Sequence, residues 1–101
     1  MSGFDTADRP THKTTPTRKW LERGRMELAQ AVNRSYGDNR DNLNAAATHV
    51  YHAKKALAHS GHHGLRERIN RLDSEFIDAR GRFEIRQVMS LIDSELSEAD
   101  Q

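Results

Sequence analysis

The amino-acid sequence predicts an all-α protein, a small helical bundle of three or four helices with a disordered N-terminal arm and a long C-terminal helix. Apolar residues recur at three- and four-residue steps in the segments after residue 15, and no segment shows the alternation that is typical of a strand. The chain has 101 residues, enough for one small domain with a modest core. Apolar residues make up 35% and charged residues 31%, a balance typical of a domain with well-solvated faces.

The chain divides into an arm, a domain and a short tail. Residues 1–14 are rich in Asp, Thr, Pro, Lys and Arg and have no apolar period, so this basic arm is expected to be disordered. Residues 15–98 are expected to form a single helical domain, and residues 99–101 are the end of an acidic tail. The charge therefore runs from a basic head to an acidic end, a pattern that often serves only solvation.

The first helix is expected to begin at Pro16. Thr15 can cap it, and proline fits the first turn because its missing N–H is not needed there. Gly37 suits a left-handed cap at the end of this helix. The apolar face of the helix comprises Trp20, Leu21, Leu28, Ala31 and Val32.

The second helix is expected over about residues 39–60. Asp38 and Asp41 resemble a capping pair at its start, and the run SGHHG supplies a stop at its end. Six alanines between Ala45 and Ala58 allow another helix to approach closely but bury little area each. The apolar face comprises Leu43, Ala46, Ala47, Val50, Ala53 and Leu57.

Two apolar stripes follow residue 64. The first comprises Leu65, Ile69, Leu72, Phe76, Ala79 and Phe83. The second comprises Ile77, Ile85, Val88, Ile92 and Leu96. Gly81 lies where they overlap, so the segment is either one long helix or two helices hinged at residues 80–82. One long helix is favoured, because three residues with a single glycine do not compel a full turn.

This C-terminal segment has more apolar surface than an alanine-rich neighbour can obviously cover. The surplus predicts a homo-oligomer or a docking surface for another protein. The residues expected at that interface are Phe76, Ile77, Phe83, Ile85, Val88, Met89, Ile92 and Leu96.

Five of the six histidines lie between residues 48 and 63, which raises the question of a metal site. His52 and His59 are about 10 Å apart along a helix axis, too far to bind one small ion together. His49 and His52 are closer, but no Asp or Glu lies on the same turns, and neither HExxH nor ExxH occurs. The sequence therefore predicts no metal and no cofactor, and the histidines are expected to lie on the surface or at an interface.

Basic residues in the arm and in the first two helices are candidate contacts to DNA or RNA, because flexible Lys and Arg side chains bind phosphate backbones. The candidates are Arg9, Lys13, Arg18, Lys19, Arg23, Arg25, Lys54 and Lys55. A helix-turn-helix does not fit this part of the chain, since residues 43–58 contain no Gly or Pro for its turn.

No catalytic signature is found in the sequence. It has no cysteine, and neither GxGxxG nor GxxxxGK followed by Ser or Thr occurs. No apolar run approaches the roughly 18 to 20 residues of a membrane-spanning helix, and the absence of cysteine fits a reducing, cytoplasmic location.

These properties predict a non-enzymatic, regulatory adaptor or inhibitor that docks on a protein or nucleoprotein partner, such as a phage or plasmid accessory factor. The alternative is a DNA- or RNA-binding regulatory protein that uses the basic arm and the first two helices.

Overall fold

The computed structural model describes residues 16–37 and 39–99. The predicted arm with Arg9 and Lys13, the predicted cap at Thr15, and Asp38 lie outside the described residues.

Four helices and no strand are found in the described part of the chain: α1 (Pro16–Ser35), α2 (Arg40–His59), α3 (His63–Asn70) and α4 (Ala79–Ala99). Helix α1 packs against α2 and α4, and α3 packs against the same two helices. The order of neighbours around the bundle is therefore α1, α2, α3, α4 and back to α1. The all-α fold class predicted from the sequence is confirmed.

Neighbouring long helices run in opposite directions. Trp20 at the start of α1 stacks on His59 at the end of α2. Arg18 near the start of α1 donates a hydrogen bond to the carbonyl of Leu96 near the end of α4. The end of α1 therefore lies beside the start of α4, and this end of the bundle holds the surface described below.

The core lies between the four helices and contains most of the residues predicted on the apolar faces, but Trp20, Phe76 and Phe83 are exposed. Its largest fully buried side chains are Leu28, Leu57, Ile69, Ile85, Ile92, Val50 and Val88. Buried Ala46, Ala53 and Ala56 have small side chains, so α2 can lie close to its neighbours. A Cβ at Gly24 of α1 would lie 3.4 Å from Leu57 Cδ2, ordinary contact distance, so the two helices pack closely here. Small residues thus bring α1 and α2 together, and the larger aliphatic side chains fill the centre.

The expectation of one long C-terminal helix is wrong, since residues 71–78 separate α3 from α4. Asp73 Oδ1 accepts a hydrogen bond from the backbone N–H of Glu75 at 3.0 Å. Asp78 Oδ1 accepts one from the N–H of Gly81 at 2.9 Å and so caps the start of α4. These local bonds stabilise a turn and a new helix start, and the break therefore precedes the predicted hinge at residues 80–82.

The caps of α1 and α2 also differ from expectation. Asn39 caps α2, because its side chain accepts a hydrogen bond from the N–H of Asn42 at 2.8 Å, whereas the predicted cap Asp38 lies outside the described residues. Gly37 is not left-handed; a Cβ there would overlap the Asn42 side chain. Gly61, with φ of 83°, is the left-handed residue after α2, and the N–H of His62 bonds the carbonyl of Leu57 in a Schellman arrangement.

Several residues predicted at an interface are part of the core. Ile77, Ile85, Val88 and Ile92 are buried within the single chain and so are not accessible to a partner. Met89 and Leu96 are partly buried against the same core. Phe76 and Phe83 are 64% and 55% exposed. The apolar surplus was overestimated because α1 and α3 cover α4 from two sides.

None of the helices within the described ranges is long and apolar enough to cross a membrane.

Candidate functional site

The histidine cluster surrounds one buried carboxylate. Glu27 of α1 is 4% exposed and is the only charged residue among the buried ones in residues 16–37 and 39–99. His49 Nδ1 lies 2.7 Å from Glu27 Oε1, and Arg23 Nε donates to Glu27 Oε2 at 3.1 Å. His52 Nδ1 is 3.9 Å from the same carboxylate. The carboxylate that His49 contacts comes from α1, whereas the sequence prediction rested on the lack of acids on the same turns of α2.

Hydrogen bonds keep Glu27 ionised. Burial by itself would raise the pKa of Glu27, but the hydrogen bonds from His49 and Arg23, together with nearby positive charge, outweigh burial and hold this pKa below its ordinary value of 4.5. The cluster therefore joins α1 to α2 through a charged network that is satisfied within the chain.

The other histidines are spread along the bundle. The rings of His59 and Trp20 stack with centroids 4.5 Å apart, and His62 Nε2 lies 3.0 Å from Glu95 Oε1. His52 and His59 are exposed, as their position opposite the apolar face predicted. In the part of the chain that the structure describes, no group of three or more His, Asp or Glu side chains is arranged to hold a metal ion.

The arginines of α1 that were predicted to contact nucleic acid are paired with acidic side chains. Arg25 Nε lies 2.7 Å from Asp93 Oδ1 on α4, and this hydrogen bond raises the pKa of Arg25. Arg18 pairs with Glu22 at 3.3 Å, and Arg23 pairs with Glu27.

The predicted lysines lie elsewhere. Lys19 is exposed on the first turn of α1, Lys54 is half-buried on α2, and Lys55 Nζ lies 5.6 Å from the ring centroid of Tyr51. The six predicted contacts that the structure describes therefore do not form one surface, since Arg18 and Arg25 contact α4 whereas Lys54 and Lys55 lie on α2.

A different set of basic and aromatic residues lies together where α1 ends and α4 begins. Tyr36 is 60% exposed, and its hydroxyl accepts a hydrogen bond from Arg86 Nη2 at 2.6 Å. The guanidinium carbon of Arg82 lies 4.3 Å from the centroid of the Tyr36 ring. The hydrogen bond from Arg86 and the charges of both arginines lower the pKa of Tyr36 from its ordinary value of 10. Two arginines of α4 thus fix the position of a tyrosine ring that faces solvent.

The Arg82 side chain is positioned by hydrogen bonds to backbone and hydroxyl oxygens. Its Nη1 donates to the carbonyl of Ile77 at 3.2 Å and lies 3.4 Å from Ser35 Oγ and 3.5 Å from the Ser35 carbonyl. These contacts join the end of α1 to the start of α4. The oxygens that Arg82 contacts are uncharged, and no carboxylate within the described residues neutralises its charge.

Phe83 and Arg80 extend this surface along α4. Phe83 is 55% exposed and lies three residues after Arg80 and three before Arg86. Residues three apart on a helix are neighbours on its surface, so the exposed phenylalanine lies between two exposed arginines. We call Tyr36, Arg80, Arg82, Phe83 and Arg86 the aromatic–arginine surface.

The arginines of this surface have no acidic partner among the described residues, although acids are close in sequence. Glu84 pairs with Arg68 of α3 at 3.3 Å. Asp78 bonds the backbone of Gly81. The aromatic–arginine surface thus has three positive charges, whereas Arg18, Arg23 and Arg25 of α1 are paired with acids.

Helix stability does not explain this concentration of arginine. The first turn of α4 contains no acidic residue and includes Arg80, although positive charge at a helix N-terminus opposes the helix dipole and costs about 0.3 to 1 kcal/mol. Asp78 at the cap offsets part of that cost. Arg80 therefore adds positive charge to the surface without stabilising the start of α4.

A groove next to this surface has balanced charge. It has a volume of about 460 Å³ and contains three arginines and three acids. Exposed Phe76 lines the groove, and its remaining lining residues are Arg68, Arg71, Leu72, Asp73, Asp78, Arg80, Gly81 and Glu84. Arg80 belongs to both the groove and the aromatic–arginine surface, and the acids of the groove lie on that side of Arg80 alone.

Only Phe83 of the aromatic–arginine surface was among the site residues predicted from the sequence. The arginines of this surface could have been found from the run RGRFEIR, in which Arg80 and Arg86 each lie three residues from Phe83. The sequence analysis treated residues 80–82 only as part of a long helix or, alternatively, as a hinge. Tyr36 could not be found this way, because its contacts are with residues about fifty positions later.

Comparisons of the chain with protein-family models, curated proteins and solved structures give no match.

Proposed function

We propose that the protein is a non-enzymatic regulatory adaptor or inhibitor that docks on an acidic surface of a protein or nucleoprotein partner through the aromatic–arginine surface. One observation carries this proposal: two aromatic rings, each more than half exposed, share a surface with three arginines that have no carboxylate partner within the described ranges. Tyr and Arg are the residues that most often dominate binding energy at interfaces.

The state of the arginines favours binding of an external anion. Arg18, Arg23 and Arg25 would each have to exchange an internal ion pair for an external one, with little net gain. Arg80 and Arg86 have no such pair to break. An external carboxylate or phosphate would therefore form charge-assisted hydrogen bonds with Arg80 and Arg86 without breaking an existing ion pair.

A binding role also agrees with the state of the buried acid. Glu27 is bonded on both oxygens, to His49 and to Arg23. The bond to His49 joins α1 to α2, which supports a structural role for Glu27.

The docking proposal is tested by site-specific crosslinking with the full-length protein. A photoreactive phenylalanine analogue replaces Gln87, exposed one turn after Phe83, or in a control replaces Met26, exposed on α1. The partner is captured from cells that encode the protein, and it should crosslink to the analogue at position 87 but not to the analogue at position 26. This partner is then purified, and its affinity for the protein is measured by calorimetry. Phe83→Ala combined with Arg86→Ala should weaken binding by about 2 kcal/mol or more.

Tyr51→Ala is the matched control for that affinity measurement, because Tyr51 is 55% exposed on α2, outside this surface. It should bind the purified partner as the wild type does. Equal binding by the wild type and the Phe83→Ala, Arg86→Ala variant would show that docking uses another surface.

Self-association and location are further parts of the proposal. Of the residues predicted at an oligomer interface, Phe76 and Phe83 are the two most exposed. Light scattering of the wild type and of the Phe76→Ala, Phe83→Ala variant tests whether they join two copies; a wild-type mass equal to the chain mass of 11.5 kDa would count against it. A cytoplasmic location is proposed from the lack of cysteine alone.

A further inference from the structure

We infer that the anion bound by the aromatic–arginine surface is a single-stranded nucleic acid, whose bases stack on Tyr36 and Phe83 and whose phosphates bind Arg80 and Arg86. This inference rests on the proposed function, because it names the chemistry of the partner that docks at the same surface.

The two rings are suited to stacking. Arg82 lies against the Tyr36 ring, 4.3 Å from its centroid, and Arg86 holds the Tyr36 hydroxyl, so the ring is fixed in place while 60% of the residue remains exposed. Phe83 projects from the side of α4 opposite the buried Ile85, Val88 and Ile92. One ring held in place and a second ring that faces solvent provide the aromatic surface that sequence-tolerant binding of unpaired bases uses.

The arginines are suited to a backbone that passes between the rings. Arg80 and Arg86 are separated by about 9 Å along the helix axis, with Phe83 midway between them. Arg86 contacts Tyr36 on one side and neighbours Phe83 on the other. Positive charge therefore alternates with aromatic surface along a path from Tyr36 across α4, and the charge is free for phosphate.

The residues around the two rings favour a nucleic acid as the partner over a protein that docks through an apolar centre. On the outer face of α4 the exposed neighbours of Phe83 include Gln87 and Ser90. A protein interface usually has a contiguous apolar centre with a polar rim. Here each ring has polar or charged neighbours, an arrangement typical of surfaces that bind bases by stacking and phosphates by charge.

Single strands are favoured over duplexes because of the same rings. In a duplex the base faces are stacked on each other and only their edges are accessible in the grooves. Tyr36 and Phe83 can contact base faces only if the bases are unpaired. A duplex would bind by charge alone and would gain nothing from either ring.

The inference is tested by fluorescence anisotropy with the full-length protein and three fluorescein-labelled probes: oligo-dT, oligo-rU of the same length, and a DNA duplex of the same length. At about 50 mM salt we expect both single strands to bind more tightly than the duplex, with affinity that falls steeply as salt rises. Phe83→Ala should weaken single-strand binding roughly tenfold while leaving duplex binding unchanged.

Substitution of arginine should alter the salt dependence. Arg80→Gln and Arg86→Gln should each lower the slope of log affinity against log salt by about 0.7 for single strands, since each removes one phosphate contact. Lys19→Gln is the charge-matched control, because Lys19 is exposed on α1 outside this surface, and Tyr51→Ala is the aromatic control. Both controls should bind as the wild type does.

Three results would overturn the inference: no single-strand binding at low salt, binding that Phe83→Ala and Arg80→Gln leave unchanged, or equal losses in the Lys19→Gln and Tyr51→Ala controls. If nucleic acid does not bind but crosslinking at position 87 still captures a partner whose binding needs Phe83, the inference fails and the proposed docking function stands. If neither assay depends on Phe83, both fail.

Discussion

At the scale of single residues, the molecule handles charge in two ways. Glu27 is buried and has its charge satisfied by His49 and Arg23, a network that stabilises the α1–α2 pair. Arg80 and Arg86 have positive charge without a carboxylate among the described residues. Charge at Glu27 is therefore part of the fold, whereas charge at the aromatic–arginine surface is available to a partner.

Replacing Glu27 should reduce stability in a pH-dependent way. The pKa of Glu27 is lowered in the folded chain below its ordinary value of 4.5, so its contribution is complete above about pH 5 and is lost as the pH falls through the folded pKa. Glu27→Gln should cost about 1 to 3 kcal/mol at neutral pH and less at an acid pH below 4.5, measured by urea denaturation followed by circular dichroism.

Glu22→Gln is the control for this substitution, because the Glu22 side chain is 52% exposed and pairs with Arg18 on the surface. It should change stability by less than about 1 kcal/mol at either pH. A cost of Glu27→Gln that is the same at neutral and acid pH would contradict the ionised network.

The ionisation of Tyr36 should depend on Arg86. The hydrogen bond from Arg86 lowers the pKa of Tyr36, so Arg86→Gln should raise this pKa towards its ordinary value of 10. A spectrophotometric titration of the phenol in a Tyr51→Phe background reports Tyr36 alone, since the chain has two tyrosines. Arg34→Gln, whose arginine bonds Asn42 instead, should leave the titration unchanged. Identical curves for Arg86→Gln and the parent would show that the bond does not form in solution.

At the scale of helices, short polar bonds set where each element starts and stops. Asn39 and Asp78 cap the starts of α2 and α4 with their side chains. Gly61 ends α2 in a left-handed conformation that alanine adopts poorly. The apolar stripe that runs from α3 into α4 is interrupted by residues 71–78 for the same kind of reason, because the bonds accepted by Asp73 compete with continued helix.

Substitutions at two glycines distinguish the effect of backbone conformation on stability from the effect of packing. A Cβ at Gly61 or at Gly64 meets no atom within 4 Å, but Gly61 has φ of 83° and Gly64 lies in α3. Gly61→Ala should therefore cost about 1 to 2 kcal/mol, while Gly64→Ala should be neutral or stabilising by up to about 1 kcal/mol. Thermal denaturation of both variants measures the difference, and equal effects would mean that α2 does not end at a left-handed residue.

At the scale of the whole molecule, the bundle covers α4 on two sides and leaves its outer face to solvent. Ile85, Val88 and Ile92 are fully buried between α1 and α3, and Phe83 lies on the outer side of the same helix. The residues that hold the bundle together and those available to a partner are therefore close in sequence but separate in space.

This separation predicts opposite effects of two substitutions on α4. Ile92→Ala should cost about 2 to 5 kcal/mol, because it leaves a cavity in the core. Phe83→Ala should change stability by no more than about 0.5 kcal/mol. Urea denaturation and light scattering of both variants measure stability and mass together; a stable Ile92→Ala protein of altered mass would mean that Ile92 lies at an oligomer interface after all.

The sequence by itself determined the fold class, the positions of α1 and α2 to within a residue or so, the buried face of α2 and the exposure of His52 and His59, but it placed the exposed Trp20, Phe76 and Phe83 on apolar faces. Periodicity suffices for these, because it reports which side of each helix faces the core. Only the tertiary structure decided which helix lies next to which, and therefore that Glu27 meets His49, that α1 and α3 bury Ile85 and its neighbours, and that Tyr36 joins Arg82 and Arg86. The physical reason is that a charge or a ring is neutralised, buried or exposed by its neighbours in space, and those neighbours come from other helices.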